Sequence, residues 1–236
     1  FMRSLAMFPA RVRVGLTATP QRADKKHFVT EAHIGQVRVV GDMVPMKPKV
    51  SQFRTAYRIP RDRDGEQVPH GPKSGWLFKA MAGSQRRNEL ITALCVQAYQ
   101  KGRHNVVFAA QRAHLDKLHL MAMAAGIPAA DIGFYVGGLK GAAERDEAAG
   151  KRLVLATYHM ADTGTDYQSW DACVLASPKA QVKQTIGRIL RSKPGKPQPV
   201  IVDLVDADSP MFTAWAEKRE AQYRQVKATF YRRWRK

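Results

Sequence analysis

The sequence predicts an α/β fold in which helices cover both faces of a mainly parallel β-sheet. Its second half alternates short, continuously apolar runs with stretches whose apolar residues follow helical spacing. Parallel strands that are buried on both faces read as continuous apolar runs, and regular alternation with helices is typical of this class. With 236 residues, 44% of them hydrophobic, the chain has the size of one sizeable domain or two small ones.

The strands and helices of this pattern follow one another from residue 88 to residue 205. Gly102 and Gly126 are placed to end two of the helices. The predicted helices are residues 88–99, 113–125, 144–149 and 184–191. The predicted strands are residues 105–110, 132–136, 152–156, 171–177 and 199–205.

The first part of the chain carries weaker signals. Residues 11–20 alternate basic and apolar side chains and end in a polar turn, and residues 35–40 and 51–59 are further strand candidates. Residues 44–49 indicate a linker, and the stretch rich in Pro, Gly and charge at 60–75 indicates a surface loop.

The last part of the chain, residues 211–236, is basic and aromatic. Apolar or aromatic residues recur at helical spacing, which predicts a C-terminal helix that docks on the preceding domain. The positions are 212, 215, 223, 226, 230 and 234. Arg232, Arg233 and Arg235 lie at its end, where they are expected to contact a phosphate backbone.

The net charge of the chain indicates which class of partner it binds. The chain has 39 Lys and Arg against 20 Asp and Glu, a formal net charge of +19, and an excess of this size favours a polyanion. Nucleic acid is the first candidate and an anionic membrane surface is the competitor. No isolated basic amphipathic helix appears except at the extreme C-terminus, so no membrane partner is expected. No segment approaches the roughly 20 apolar residues of a membrane span, so the protein is predicted to be soluble and intracellular.

Metal and disulfide chemistry is not indicated. Cys95 and Cys173 lie inside apolar segments with no Cys or His at metal-ligand spacing, which predicts buried free thiols. The seven histidines do not assemble into a ligand set, so we expect no metal site.

Two arginines three residues apart suggest chemistry. Arg188 and Arg191 belong to residues 184–191, Gln-Thr-Ile-Gly-Arg-Ile-Leu-Arg, between two apolar runs, and helical spacing would place both on one face. Two planar, permanently charged guanidinium groups suit a polyphosphate. The alternative is an amphipathic helix whose arginines are solvated.

Read together with two other segments, this one resembles a known family. Residues 16–20, Leu-Thr-Ala-Thr-Pro, residues 155–166, Leu-Ala-Thr-Tyr-His-Met-Ala-Asp-Thr-Gly-Thr-Asp, and residues 184–191 resemble, in order, the third, fifth and sixth motifs of superfamily 2 helicases. The spelling is most similar to the XPB-like and phage UvsW-like branch. The resemblance covers roughly residues 10–206 and implies a RecA-like fold of the P-loop NTPase type.

The resemblance implies roles for the nucleotide-related residues. Arg188 and Arg191 would approach the γ-phosphate of ATP from the second RecA-like lobe, with Arg191 as the arginine finger. The other residues that would bind ATP or couple its state to movement are Gln184, Gly187, Gly164, Asp166, Thr17 and Thr19.

The resemblance also implies nucleic-acid contacts. Thr157 would bond a phosphate, although a helix N-cap is its alternative role. Gln111 or Arg112, at the end of a strand, would face the nucleic-acid backbone. Gly138 would permit close approach of a phosphate, although a plain strand-to-helix turn also explains a glycine there.

The domain organisation follows from the same resemblance. Residues 1–45 are expected to be the end of a first RecA-like lobe with a linker, residues 46–210 the second lobe, and residues 211–236 the C-terminal helix. No Gly-x-x-x-x-Gly-Lys-Ser/Thr loop occurs in the chain. Residues 146–149, Asp-Glu-Ala-Ala, imitate the metal-holding motif but lie in a polar helical stretch.

The resemblance therefore predicts the C-terminal half of an ATP-dependent helicase or translocase. ATP and Mg²⁺ would be cofactors of the complete enzyme, its partners would be the N-terminal lobe and nucleic acid, DNA rather than RNA, and this chain alone would be inactive. Two alternatives are a non-catalytic nucleic-acid-binding or annealing module, and a docking subunit whose basic C-terminal helix recruits a partner protein.

Overall fold

The computed structural model describes residues 11–15, 26–38, 45–61, 74–139, 141–162 and 167–234. The chain folds into two compact units, Phe1–Met43 and Val44–Lys236. Each unit is described by itself below.

The first unit contains a helix that the sequence did not predict, between two segments that were predicted as strands. Helix α1, His27–Ile34, ends at Gly35, whose φ of 107° suits glycine. Residues 11–15 and 35–38 are irregular, so the strands predicted over 11–20 and 35–40 are wrong in their described parts. A strand needs a neighbouring strand to satisfy its backbone groups, and the described residues of this unit form none.

The second unit is built on one seven-stranded sheet in which every neighbouring pair of strands is parallel. In chain order its strands are β1 Lys49–Arg54, β2 Asn105–Ala109, β3 Ile132–Tyr135, β4 Leu153–Thr157, β5 Ala172–Leu175, β6 Val200–Val205 and β7 Thr229–Arg232. Their order across the sheet is β3-β4-β2-β5-β6-β1-β7. The predicted parallel α/β fold is confirmed.

Helices and turns connect these strands. The helices are α2 Ser74–Ala82, α3 Gln85–Gln100, α4 Arg112–Ala124, α5 Ala142–Gly150, α6 Tyr158–Asp162, α7 Lys183–Ile189 and α8 Pro210–Gln225, with a 3₁₀ turn at Ala129–Asp131. Gly102 and Gly126 follow α3 and α4 at φ 70° and 92°, which explains why those helices stop where the sequence predicted. Helices α2 and α6 were not predicted.

Two apolar clusters lie on opposite faces of the sheet. Along β2, Val106 and Phe108 belong to one cluster, and Val107 and Ala109 belong to the other. This alternation follows from the two-residue period of a strand. The first cluster includes side chains of α5, α6, α7 and α8, and the second includes side chains of α3 and α4, so helices cover both faces.

The two cysteines are buried free thiols, one in each cluster, as the sequence predicted. Burial raises the pKa of Cys95 to about 12, so its thiolate, the nucleophilic form, is suppressed at neutral pH.

The C-terminal segment differs from the single helix predicted for residues 211–236. Ser209 caps the start of α8 by accepting a hydrogen bond from the amide of Phe212. The helix ends at Gln225, and Lys227 adopts a φ of 54°, a left-handed conformation that turns the chain. Residues Thr229–Arg232 then add strand β7 beside β1, because β-branched and aromatic residues favour an extended, paired backbone.

Candidate functional site

Three neighbouring strands, β3, β4 and β2, bring some of the predicted nucleic-acid residues together at the carboxyl ends of the strands, called the carboxyl edge of the sheet below. Thr157 is the last residue of β4 and lies opposite Ala109 of β2. Gln111 follows the end of β2 by two residues, and Gly138 follows the end of β3 by three. Parallel strands present their carboxyl ends at the same edge, about 4.8 Å apart, and such edges are where α/β proteins commonly bind ligands.

Gln111 connects this edge to helix α2. Its side-chain Nε2 donates a hydrogen bond to the carbonyl oxygen of Gly75 at 3.3 Å. Gln111 occupies the N-cap position of α4 but makes no side-chain cap bond there. Arg112 starts α4, is well exposed, and lies 3.9 Å from the carboxylate of Asp116.

Thr157 is half-buried and directly precedes helix α6. It therefore lies at the N-cap position of that helix, which is the alternative role considered for it above. Tyr158, the first residue of α6, fixes this corner. Its hydroxyl donates to the carbonyl oxygen of Ser177 at 2.6 Å, and its ring stacks on Phe108. Burial raises the pKa of Tyr158 far above its usual range, so its hydroxyl keeps its proton and acts as a donor.

Gly138 has a φ of 99° and is exposed, and no heavy atom lies within 4 Å of the position a Cβ would take. A side chain there would be strained by the backbone conformation and not by crowding. The turn alone therefore accounts for glycine at this position.

The arginine segment lies between the next two strands, β5 and β6. Arg188 is in the last turn of α7 and is only 8% exposed. Arg191 is half-buried and lies beyond the end of the helix at Ile189, so the prediction that one helix carries both arginines is wrong. Gln184 is exposed, and no atom crowds Gly187.

The start of α7 is held by helix α8. Gln222 Oε1 accepts hydrogen bonds from the amides of Val182 at 2.8 Å and Lys183 at 2.9 Å. Gln222 Nε2 donates to the carbonyl oxygen of Ala180 at 2.8 Å. The first amides of a helix have no partner within the helix, so Gln222 supplies one from elsewhere in the fold.

The end of α7 is held by Lys196. Its Nζ donates to the carbonyl oxygens of Ile189 at 2.8 Å and Arg191 at 2.9 Å. The amide of Met46 donates to the carbonyl oxygen of Leu190 at 2.8 Å. A cation also suits the negative end of a helix, so the segment between Ile189 and Arg191 is fixed at three successive carbonyls.

Two buried ion pairs lie near the carboxyl ends of β5 and β6. Arg219 of α8 pairs with Asp203 of β6 at 2.9 Å and donates to the carbonyl oxygen of Lys179 at 3.0 Å. Arg87 of α3 makes a two-pronged contact with Asp206 at 2.9 and 3.0 Å. It also donates to the carbonyl oxygen of Ala176, just after β5. Both pairs tie helices to the carboxyl ends of β5 and β6.

His114 lies behind Gln111 on α4 and is buried. Its Nε2 is 2.9 Å from Asn88 Oδ1, and Asn88 Nδ2 donates to the carbonyl oxygen of Ala82. Burial, assisted by the charge of Arg87, lowers the pKa of His114 to about 3. His114 is therefore neutral near pH 7 and donates from Nε2, a structural role.

The tail arginines Arg232 and Arg233 lie at the end of strand β7, the outermost strand on the side of the sheet opposite β3. The Arg232 guanidinium lies 4.7 Å from the ring centroid of Phe53, and that of Arg233 lies 4.5 Å from that of Phe230. Strand β7 is five positions from β4 in the sheet order, which places it roughly 24 Å away at about 4.8 Å per strand. A shallow cavity of about 540 Å³ is lined by Ala228, Phe230, Tyr231, Arg232 and Arg233.

Five predicted site residues lie outside the described part of the chain: Thr17, Thr19, Gly164, Asp166 and Arg235. Gln222, Lys196, Arg219 and Arg87 were not predicted. Gln222, Arg219 and Arg87 bind groups 16 or more residues away, and Lys196 binds carbonyls five and seven residues away across an irregular segment, so no helical or strand spacing marks any of them. The described residues contain no group of three or more His, Cys, Asp or Glu side chains that could hold a metal ion. Within the described ranges, no helix is both long and apolar enough to cross a membrane.

Comparison with known proteins supports the motif resemblance. No protein-family model matches the chain. A protein of Acanthamoeba polyphaga mimivirus, provisionally named an ATP-dependent RNA helicase, is 27% identical over 222 residues, which are 92% of this chain and 43% of that protein. The chain thus spans less than half the length of this curated relative.

Solved helicase structures share the fold. T4 UvsW matches with a TM-score of 0.57 and 20% identity, covering 88% of this chain and 44% of that one. Dbp5 of S. cerevisiae, bound to RNA and ADP BeF3, matches with a TM-score of 0.61 and 12% identity, covering 98% and 54%. The helicase MrfA, bound to DNA and AMPPNP, matches with 0.55 and 15%, covering 89% and 27%.

The second unit therefore has the RecA-like α/β fold of helicase C-terminal domains. The resemblance to superfamily 2 helicases, first seen in three short motifs, is confirmed over 92% of the chain.

Proposed function

We propose that this chain is the C-terminal half of an ATP-dependent nucleic-acid helicase or translocase. It supplies a nucleic-acid contact edge and two arginines to a nucleotide site that it shares with an N-terminal RecA-like lobe. Residues 1–45 would be the end of that lobe with its linker, residues 46–210 the second lobe, and residues 211–236 a C-terminal segment that packs on the second lobe.

The observation that carries this proposal is the order of the strands. Strands β3, β4 and β2 are neighbours, so Gly138, Thr157 and Gln111 share one edge although they are far apart in sequence. Strand β5 comes next, and the arginine segment follows it. Nucleic-acid contacts and nucleotide contacts would thus sit side by side, as a motor that couples them requires.

The arginine segment fits the phosphate end of ATP. Its backbone is held by Gln222 at the start of α7 and by Lys196 at its end, and fixed positive charge is what phosphoryl transfer needs. When bound, ATP supplies the γ-phosphoryl group that is transferred to water. Arg188 and Arg191 would bind and neutralise that group, and the carboxylates for Mg²⁺ would come from the N-terminal lobe.

The kind of nucleic acid stays open in this proposal. Of the two helicases solved with nucleic acid, Dbp5 was bound to RNA and MrfA to DNA, so the expected preference for DNA gains no support. We propose phosphate contacts that both share, with weak dependence on base sequence.

A salt titration with matched variants tests the nucleic-acid part. Arg112 and Arg224 each have a side chain 64% exposed and each pair with a carboxylate one helical turn away, but only Arg112 is at the proposed edge. We expect the affinity for single-stranded DNA and RNA to fall steeply as the salt concentration rises. In the Arg112→Ala variant, the slope of log affinity against log salt concentration should be smaller by about one.

The Arg224→Ala variant serves as the control and should bind like the unchanged chain. Equal losses in both variants, an affinity that hardly depends on salt, or a strong preference for one base sequence would contradict the proposed edge.

A further inference from the structure

Few large apolar side chains are exposed on the described part of the second unit. They are Trp76 at 44%, Leu120 at 62% and Tyr231 at 83%. Leu120 lies two turns along α4 from Arg112, and Tyr231 lies in β7 at the far edge of the sheet. Trp76 differs from both because it lies next to Gly75, whose carbonyl oxygen is bonded to Gln111.

Helix α2 turns Trp76 outward for a physical reason. Leu77 and Met81, four residues apart, are buried in a cluster with Phe212 of α8. This contact fixes the inner face of α2, and Trp76 lies outside it. The hydrogen bond from Gln111 holds the neighbouring backbone against the carboxyl edge. The indole is therefore exposed on a helix whose backbone is held to Gln111, two residues beyond strand β2.

Two exposed cationic residues belong to the same pair of joined segments as Trp76. Lys79 is exposed and lies three residues after Trp76, which places both on the same side of α2. Arg112 follows Gln111 directly and is exposed. An aromatic ring beside lysine and arginine is the combination that binds single strands, because bases stack on the ring while phosphates meet the cations.

We propose that Trp76 is a stacking platform for an unpaired base of a single strand that crosses the carboxyl edge at Gln111. The proposal rests on the proposed function, since it adds a base contact to the phosphate contacts of that edge. It also specifies the substrate: a base must be unpaired to lie flat on the indole, so duplex without a single-stranded end lacks this contact.

The test pairs a protein change with a nucleic-acid change. The chain, its Trp76→Ala variant and its Leu120→Ala control are titrated with a single-stranded oligonucleotide and with an abasic oligonucleotide of the same length. Loss of one stacked base weakens binding by about 5- to 150-fold. We expect Trp76→Ala to weaken binding to the base-containing strand by a factor in this range and to leave binding to the abasic strand unchanged.

A second variant guards against an effect on folding. Trp76→Phe keeps an aromatic ring, so it should retain most of the affinity. We expect intrinsic fluorescence of the unchanged chain to be quenched on binding, and this quenching to be smaller in Trp76→Phe, which keeps the other three tryptophans. Leu120→Ala should bind both strands like the unchanged chain. This pattern would support the stacking platform.

Other outcomes overturn it. Equal weakening on both strands would mean that Trp76 acts on the fold, and no weakening on either would mean that the exposed indole serves another partner, such as a protein. If the unchanged chain binds neither strand, the proposed function fails along with this inference, whereas failure of the Trp76 pattern alone leaves the phosphate edge intact.

Discussion

Gln222 of helix α8 accepts a hydrogen bond from the amide of Lys183, the first residue of helix α7, at 2.9 Å. The same oxygen accepts from the amide of Val182. Helix α8 lies outside the three motifs that suggested the function, yet it caps the helix that carries Arg188. The C-terminal segment thus supports the backbone of the arginine segment.

Replacing Gln222 with alanine should loosen α7. The buried amide of Val182 and the partly buried amide of Lys183 would lose their acceptor, and an unsatisfied buried amide costs about 1–3 kcal/mol of unfolding free energy. We expect faster hydrogen exchange at the first amides of α7 and a lower melting temperature. Gln225→Ala is the matched control, because Gln225 is exposed on the same helix. Similar effects of the two changes would show that the cap contributes nothing specific.

The buried pair of Arg87 and Asp206 should matter far more to stability than a surface pair. Arg87→Ala leaves the carboxylate of Asp206 buried, with Thr55 as a remaining donor, and should cost about 3–5 kcal/mol. Arg224→Ala breaks a surface pair with Glu220 and should cost less than about 1 kcal/mol. Denaturant unfolding of both variants measures the difference, and comparable losses would contradict the burial argument.

Stability should fall as the pH drops below about 6.5. The pKa of His114 is lowered to about 3 by burial, whereas an unfolded histidine has its ordinary value near 6.5. The unfolded chain therefore binds the proton first, so the stability that His114 contributes is present above pH 6.5 and is lost toward pH 3, by up to about 1.4 kcal/mol per pH unit.

The control for this pH dependence is His114→Gln, which cannot gain that proton. Between pH 7 and pH 4, the melting temperature should fall less steeply with decreasing pH for this variant than for the unchanged chain. Parallel curves would mean that His114 is not the group responsible.

The chain alone should hydrolyse ATP at background rate, with or without nucleic acid. Phosphoryl transfer needs a phosphate cradle and a metal site as well as arginines. In a longer protein that includes the N-terminal lobe, we expect hydrolysis that depends on nucleic acid. There, Arg191→Ala should lower turnover far more than ATP affinity, because an arginine finger acts on charge that develops in the transition state.

Lys193→Ala is the control for Arg191, since Lys193 is exposed two residues away. Arg191-dependent hydrolysis by residues 1–236 alone would place the nucleotide elsewhere. Absence of hydrolysis in the longer protein, with nucleic-acid binding retained, would favour the non-catalytic binding or annealing module.

The central sheet could be predicted from sequence because its strands have a distinctive composition. The runs at β2, β4, β5 and β6 are largely apolar, and burial on both faces explains such runs. Alternation was less reliable, because it does not tell whether a partner strand exists. Residues 11–15 and residues 51–59 both alternate in sequence, yet within the described residues only the second segment contributes to a paired strand, β1 beside β6 and β7.

The tail and the arginine site show a second limit. A helical stripe continued in the sequence to Trp234, but pairing with β1 outweighed it after Gln225. The arginines were recognised by local spacing, whereas their supports were not, since Gln222 lies about 40 residues from the amides it binds. A contact of this kind becomes visible only when the fold has brought the two segments together.

Strand β1 has a consequence for how this domain forms. Both of its neighbours, β6 and β7, are about 150 to 180 residues later in the chain. At a synthesis rate of roughly 5–20 residues per second, β1 leaves the ribosome about 8–30 s before β6 is made. During that time it has no native partner strand, and unpaired backbone groups on a strand invite aggregation. The sequence of β1, Lys-Val-Ser-Gln-Phe-Arg, has a charge at each end and polar residues within. These side chains disfavour pairing with strands of other chains before β6 is made.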